Sequence, residues 1–159
     1  MNYIIQINLE HKESIMREIS IASNNNLEEL HYKIIDIFKL DKNEIGSFYT
    51  TNSELETIQE ISLINMDNKE QSLQMKDIKI KDILDKKDPH LIYVYDFLKM
   101  WRFLITYINS SDDEYDQTII LKSIGKIPKK APEISFADQK NDELLEDNIY
   151  SELGNEEEF

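Results

Sequence analysis

The sequence predicts an α+β fold, and three observations carry the prediction. Alternating apolar residues mark two strands at the start, a capped amphipathic helix follows them, and two long β-branched and aromatic runs come later in the chain. The expected form is a ββα start leading into a largely antiparallel or mixed sheet, with one main helix packed across it. A β-grasp-like arrangement is the nearest familiar form. With 159 residues and an apolar fraction of 40%, the chain has room for one domain with its own core and for added segments.

Tyr3, Ile5, Ile7 and Leu9 alternate with Ile4, Gln6, Asn8 and Glu10, the period-two pattern of a half-buried strand. Residues 11–14 make a turn. Ile15, Arg17, Ile19 and Ile21, alternating with Met16, Glu18, Ser20 and Ala22, then give the second strand of a hairpin. Arg17 among the isoleucines points to a strand end or a sheet edge. The polar run 23–26 breaks this strand and supplies a helix start. With Asn26 as N-cap, Glu29 falls at the third helical position and can reach back to close a capping box. Leu27, Leu30, Ile34, Ile37 and Phe38 form one apolar stripe, while Glu28, Glu29, Lys33 and Asp36 face water.

Residues 45–50 and 58–64 read as strands, and the polar stretch 65–74 as an exposed loop. Residues 80–86 read as a short helix with Ile83 and Leu84 turned inward, closed by Asp88-Pro89. The runs 91–97 and 101–109 read as paired central strands, and 117–124 as the last strand. Two prolines and three lysines between Gly125 and Pro132 make a stiff exit. The domain is therefore drawn over residues 1–132.

Residues 133–159 hold ten acids against one base, so they carry -9 of the net charge of -14 and leave the body at -5. Such composition reads as a solvated, disordered acidic tail. Its apolar residues Leu144, Leu145, Ile149, Tyr150 and Leu153 recur at helical spacing, so a short amphipathic helix there would meet a protein partner through Leu145, Ile149, Tyr150 and Leu153. Direct binding to phosphate backbones is disfavoured by this charge. Without cysteine there are no disulfides and no thiolate metal sites. The N-terminus shows no secretory signal, and no apolar run approaches the roughly twenty residues of a membrane helix. A soluble, cytoplasmic protein is expected, with no membrane partner, no cofactor and no metal; the oligomeric state is open.

Two stretches carry a family resemblance. The first is Leu30-His31-x-x-Ile34, running on to Phe38, Leu40-Asp41 and Phe48. The second is Tyr93-Val94-Tyr95-Asp96-Phe97, with Trp101 five places after Asp96. In this order they resemble the plasmid pRiA4b open-reading-frame-three-like family, also met as a transposon passenger protein, over roughly residues 1–132. The resemblance implies an α+β domain with a leading ββ-helix unit; it implies no activity. The departures concern polar positions. Where the family commonly has glycine and aspartate after Asp-Phe, this chain has Leu98 and Lys99. Where it has histidines, this chain has Glu44, Gly46 and Phe103.

Four residues are candidates for a binding site: Asp96, Trp101, His31 and Tyr95. His31 titrates near neutrality and would serve acid–base chemistry if a partner met it in a cleft. As a helix–sheet packing residue it needs no such partner, and that plainer reading leads. Asp96 would join Trp101 and Tyr93 or Tyr95 in a pocket, or else cap the connection at 98–100 through backbone amides. Trp101, Phe97, Phe103 and Tyr107 form either a ligand platform or core. His11 and His90 lie in turns without metal-ligand spacing. No catalytic residue is assigned. The leading reading is a non-enzymatic binding or accessory domain acting through its sheet surface or its acidic tail. The second is a mobile-element-associated enzyme or nucleic-acid-processing accessory with a site near Asp96 and His31. The third is an acidic nucleic-acid mimic that occupies a basic protein.

Overall fold

The computed structural model describes residues 1–64, 73–113 and 117–129. The acidic segment 133–159 and the boundary at Pro132 lie outside them, as does most of the stretch read as a loop at 65–74.

The alternating start forms a hairpin of β1 (Asn2–Leu9) and β2 (Ile15–Ala22), with Ile5 opposite Ile19 and Ile7 opposite Arg17. Helix α1 (Leu27–Phe38) follows. Its start is the expected capping box: Asn26 Oδ1 accepts from Glu29 N at 2.9 Å, and Asn26 N donates to Glu29 Oε1 at 3.1 Å. Its end has no glycine. Lys39 takes the left-handed cap at φ 54, where Leu40 N donates to Ile35 O at 3.0 Å. The buried stripe is Leu27, Leu30, His31, Ile34, Ile35 and Phe38. Each large apolar side chain in it contributes about 1.5–3 kcal/mol by burial.

Strands β3 (Gly46–Thr51) and β4 (Thr57–Ser62) come next, then the two-residue β5 (Leu73–Gln74), a 3-10 turn at Met75–Asp77 and the short helix α2 (Ile80–Ile83). Strands β6 (His90–Tyr95), β7 (Trp101–Ser111) and β8 (Ile119–Ile124) finish the described chain. All eight strands lie in one sheet of order β5-β4-β3-β6-β7-β1-β2-β8. Every pairing is antiparallel except β4 with β5, so the sheet is mixed. The fold is dominated by its sheet, and the described residues hold two helices, the main α1 and the one-turn α2. The ββα start is present; a β-grasp form is not shown by this strand order.

Strands β6 and β7 pair at the centre of the sheet, as their continuous apolar runs require. Helix α1 and the 75–84 segment close one face, and the two are tied together. Leu27 N donates to Ile78 O at 2.9 Å, and Ile80 N to Asn25 O at 2.9 Å. The inward residues of that segment are Ile80 and Leu84, with Ile83 only half-buried, because α2 stops after one turn.

Arg17 is corrected by the sheet. Strand β2 is not an edge, since β8 pairs with it; Arg17 does lie near the strand's start, third of its eight residues, and is buried. Its guanidinium donates to Met16 O at 2.8 Å, Ile124 O at 2.9 Å and Gly125 O at 3.0 Å, and lies 5.9 Å from the Phe38 ring centroid. Arg17 therefore fastens the end of β8 to the domain. Gly125 completes that exit: its φ is 79, and a Cβ there would stand 2.2 Å from Ser14 O.

Candidate functional site

Period two puts Leu91, Tyr93 and Tyr95 on the face of β6 under α1, where Phe48 of β3 and Trp101 and Phe103 of β7 join them. His31 comes down from the helix onto this cluster. Ring centroids lie 4.7 Å apart for Phe48–Tyr93, 5.7 Å for His31–Tyr93, 5.8 Å for Tyr93–Phe103 and 6.1 Å for His31–Tyr95. Tyr93 is the hub, a role that its place among so many aromatics hid in the sequence. Gly46 makes room for it: a Cβ there would stand 2.8 Å from the Tyr93 hydroxyl oxygen.

His31 is 1% exposed, and its Nδ1 lies 2.5 Å from the Tyr93 hydroxyl. Burial pushes the imidazole down to about 4, because a charged ring there would lose its water. Burial also holds the Tyr93 hydroxyl far above its usual ionisation range, helped by Tyr95 and Tyr32. Both groups are thus neutral near pH 7. The Tyr93 hydroxyl and His31 Nδ1 form one hydrogen bond, whose donor is set by the imidazole tautomer. The pair satisfies two polar groups that burial would otherwise leave wanting. It also lies beyond the reach of a substrate in bulk solvent, which a general acid or base must touch.

Asp96 is buried at the end of β6 with φ 58. Its Oδ1 accepts from Leu98 N and Lys99 N, each at 3.2 Å, while Met100 N donates to Asp96 O at 2.6 Å. Its own N–H donates to Ile45 O at 2.9 Å. This is a capped turn linking β6 to β7. No hydrogen bond or ion pair joins Asp96 to His31 among the described residues.

Tyr95 is buried beside Tyr93, and its hydroxyl accepts from Glu44 N at 3.2 Å. Burial pushes its ionisation to higher pH, partly offset by that amide. Trp101 is buried opposite Tyr95 in the β6–β7 register. Three of the four candidates, His31, Tyr95 and Trp101, therefore belong to one closed cluster, and Asp96 caps the turn at its end.

Phe97 departs from the expected strand. It sits in the turn and is exposed, next to Leu98 at 96% exposure. Tyr107 is half-buried, packed edge-on against Tyr3 at 4.9 Å. The other histidines stand apart: His11 accepts from Glu13 N within its turn, and His90 meets Thr106 Oγ1 at 3.2 Å. No group of three potential ligands able to hold a metal occurs among the described residues. No helix among them is long and apolar enough to cross a membrane. Leu145, Ile149, Tyr150 and Leu153 lie outside the described residues.

The positions where the resemblance expects polar residues prove to be neighbours in space. Gly46 lies against Tyr93, Phe103 faces Tyr93 across the β6–β7 pair, and Glu44 binds Tyr95 through its amide. Leu98 and Lys99 supply the amides that Asp96 accepts.

A single-sheet domain whose aromatic centre is closed under one helix is the class of protein these features define. Residues 1–133 match the family model described as Plasmid pRiA4b ORF-3-like protein, and the chain belongs to that family. Among solved structures it is similar to a protein of unknown function from Methanosarcina mazei Go1. That match has a TM-score of 0.62 at 18% identity and covers 91% of this chain and 81% of the other, a likeness of fold alone. No curated protein matches.

Proposed function

We propose that this chain is a non-enzymatic binding or accessory domain that meets a protein partner through its sheet surface, or through the acidic segment 133–159. The observation that carries the proposal is strand β8. All six of its residues are exposed, and Ile119, Ile120, Leu121 and Ile124 are apolar. Its inner side pairs with β2, and its outer side is the end of the sheet. A row of amides and carbonyls with no strand partner among the described residues, beside apolar side chains, favours strand addition by an extended peptide. The closed centre supports the same reading, because its titratable groups are spent on internal hydrogen bonds.

The test is capture from the native cell with the full chain as bait, beside the variant Ile120→Lys/Leu121→Lys. A partner retained by the natural chain and lost from the variant is the expected result. A capture profile identical for both baits sinks the edge reading.

A further inference from the structure

The two edges of the sheet are managed differently. On the far side, β5 covers only Ile61 and Ser62 of β4, and the four residues it leaves at the edge, Thr57–Glu60, carry a single apolar side chain, Ile58. The β8 edge is six residues long, carries four exposed apolar side chains, and is interrupted by the register shift opposite Glu18/Ile19 and by Lys122 and Ser123. An edge of this kind calls for a cover, and the chain itself leaves from its end. Arg17 and Gly125 fix that exit against β2, and Ile127 packs on the core. Thirty residues follow Lys129.

We infer that residues 144–153 cover the free edge of β8 in the same molecule, with Leu145, Ile149, Tyr150 and Leu153 set against Ile119 and Ile124, which the register puts with Lys122 on one face of the strand. The inference rests on the edge reading above and adds how that edge is regulated. Three observations choose this occupant. The first is charge: Lys122, Lys126 and Lys129 line the strand and its exit, while residues 133–159 carry ten acids against one base. The second is reach. The sixteen residues from Lys129 to Leu145 span up to about 50 Å when extended, against about 20 Å for a six-residue strand. The third is pattern, because the four apolar residues recur at spacings of four, one and three, which gathers them on one side of a helical turn. Tethering supplies an effective concentration on the order of millimolar, so weak contacts suffice and a partner strand can still displace the cover.

Amide hydrogen exchange on the purified full chain tests this, comparing the natural chain with Ile149→Asp/Tyr150→Asp. Both substitutions lie outside residues 1–129, so the α1 amides serve as the control for an intact fold. The expected result is that β8 amides not paired to β2 exchange at least about tenfold faster in the variant. The natural chain should lose the same protection near 1 M salt, where charge attraction is screened. Equal β8 exchange in both proteins overturns the inference. Protection that persists in the variant and grows with protein concentration also overturns it, by assigning the edge to a second copy. Capture of a partner without any exchange difference removes this inference and leaves the edge reading standing. An exchange difference without capture does the reverse.

Discussion

The helix-covered centre and the β8 edge use similar apolar residues to opposite ends. In the centre, Tyr93, Phe48, Phe103 and Phe38 are fully buried, and the polar atoms among them are matched within the cluster. At the edge, the isoleucines and leucine of β8 stand in water at 36–49% exposure. The closed region holds the residues whose chemistry looked most functional in the sequence, and the open region holds residues that looked like ordinary strand. Chemical type alone therefore does not locate function here. Accessibility separates the two.

The largest expected effect breaks the closed region directly. Phe103→Ala removes the ring packed against Phe38 at 4.7 Å and against Tyr93, and should cost about 3–5 kcal/mol in denaturant unfolding. A loss under about 1 kcal/mol would mean that the centre is loosely packed and open to ligands.

The next effect is a pH dependence. His31 is held at about 4 when folded and titrates near 6.5 when unfolded, so the unfolded chain binds a proton first as pH falls. Stability should decline from about pH 6.5 to about pH 4, by up to about 3 kcal/mol from this group, and His31 should contribute no further slope below that. In His31→Phe this part of the slope should vanish from the melting temperature measured across that window. A slope that persists unchanged would place the imidazole in contact with water.

The smallest effect separates a cap from a reactive carboxylate. Asp96→Ala loses two amide bonds at a residue with positive φ and should cost about 2 kcal/mol in a denaturant midpoint. Asp96→Asn keeps an acceptor oxygen and tolerates that backbone, and should cost less than about 1 kcal/mol. Equal losses would show that the charge itself matters, and would reopen a binding role at the β6–β7 turn.

Local chemistry decided what could be read in advance. The β1–β2 hairpin and the limits of α1 follow from period two, from Asn26 and Glu29, and from a stripe repeating every three to four residues, all within a few positions of one another. The central β6–β7 pair followed from apolar runs too long for a half-exposed strand. Phe97 was misjudged because the strand ends at Tyr95, two residues earlier than hydrophobicity suggests, where Asp96 turns the chain. Arg17 looked like an edge residue because its partners, Ile124 and Gly125, lie more than a hundred positions away.

The sequence by itself determined the family, the leading ββα unit, the late central strands and the concentration of charge beyond Pro132, since each depends on neighbours along the chain. Only the tertiary structure decided that His31 and Tyr93 are hydrogen-bonded in the interior. Only it showed that Gly46 stands aside for a hydroxyl on another strand, and that β8 ends the sheet with its apolar side chains exposed. Those facts depend on strand order and on contacts between distant segments, which periodicity does not encode.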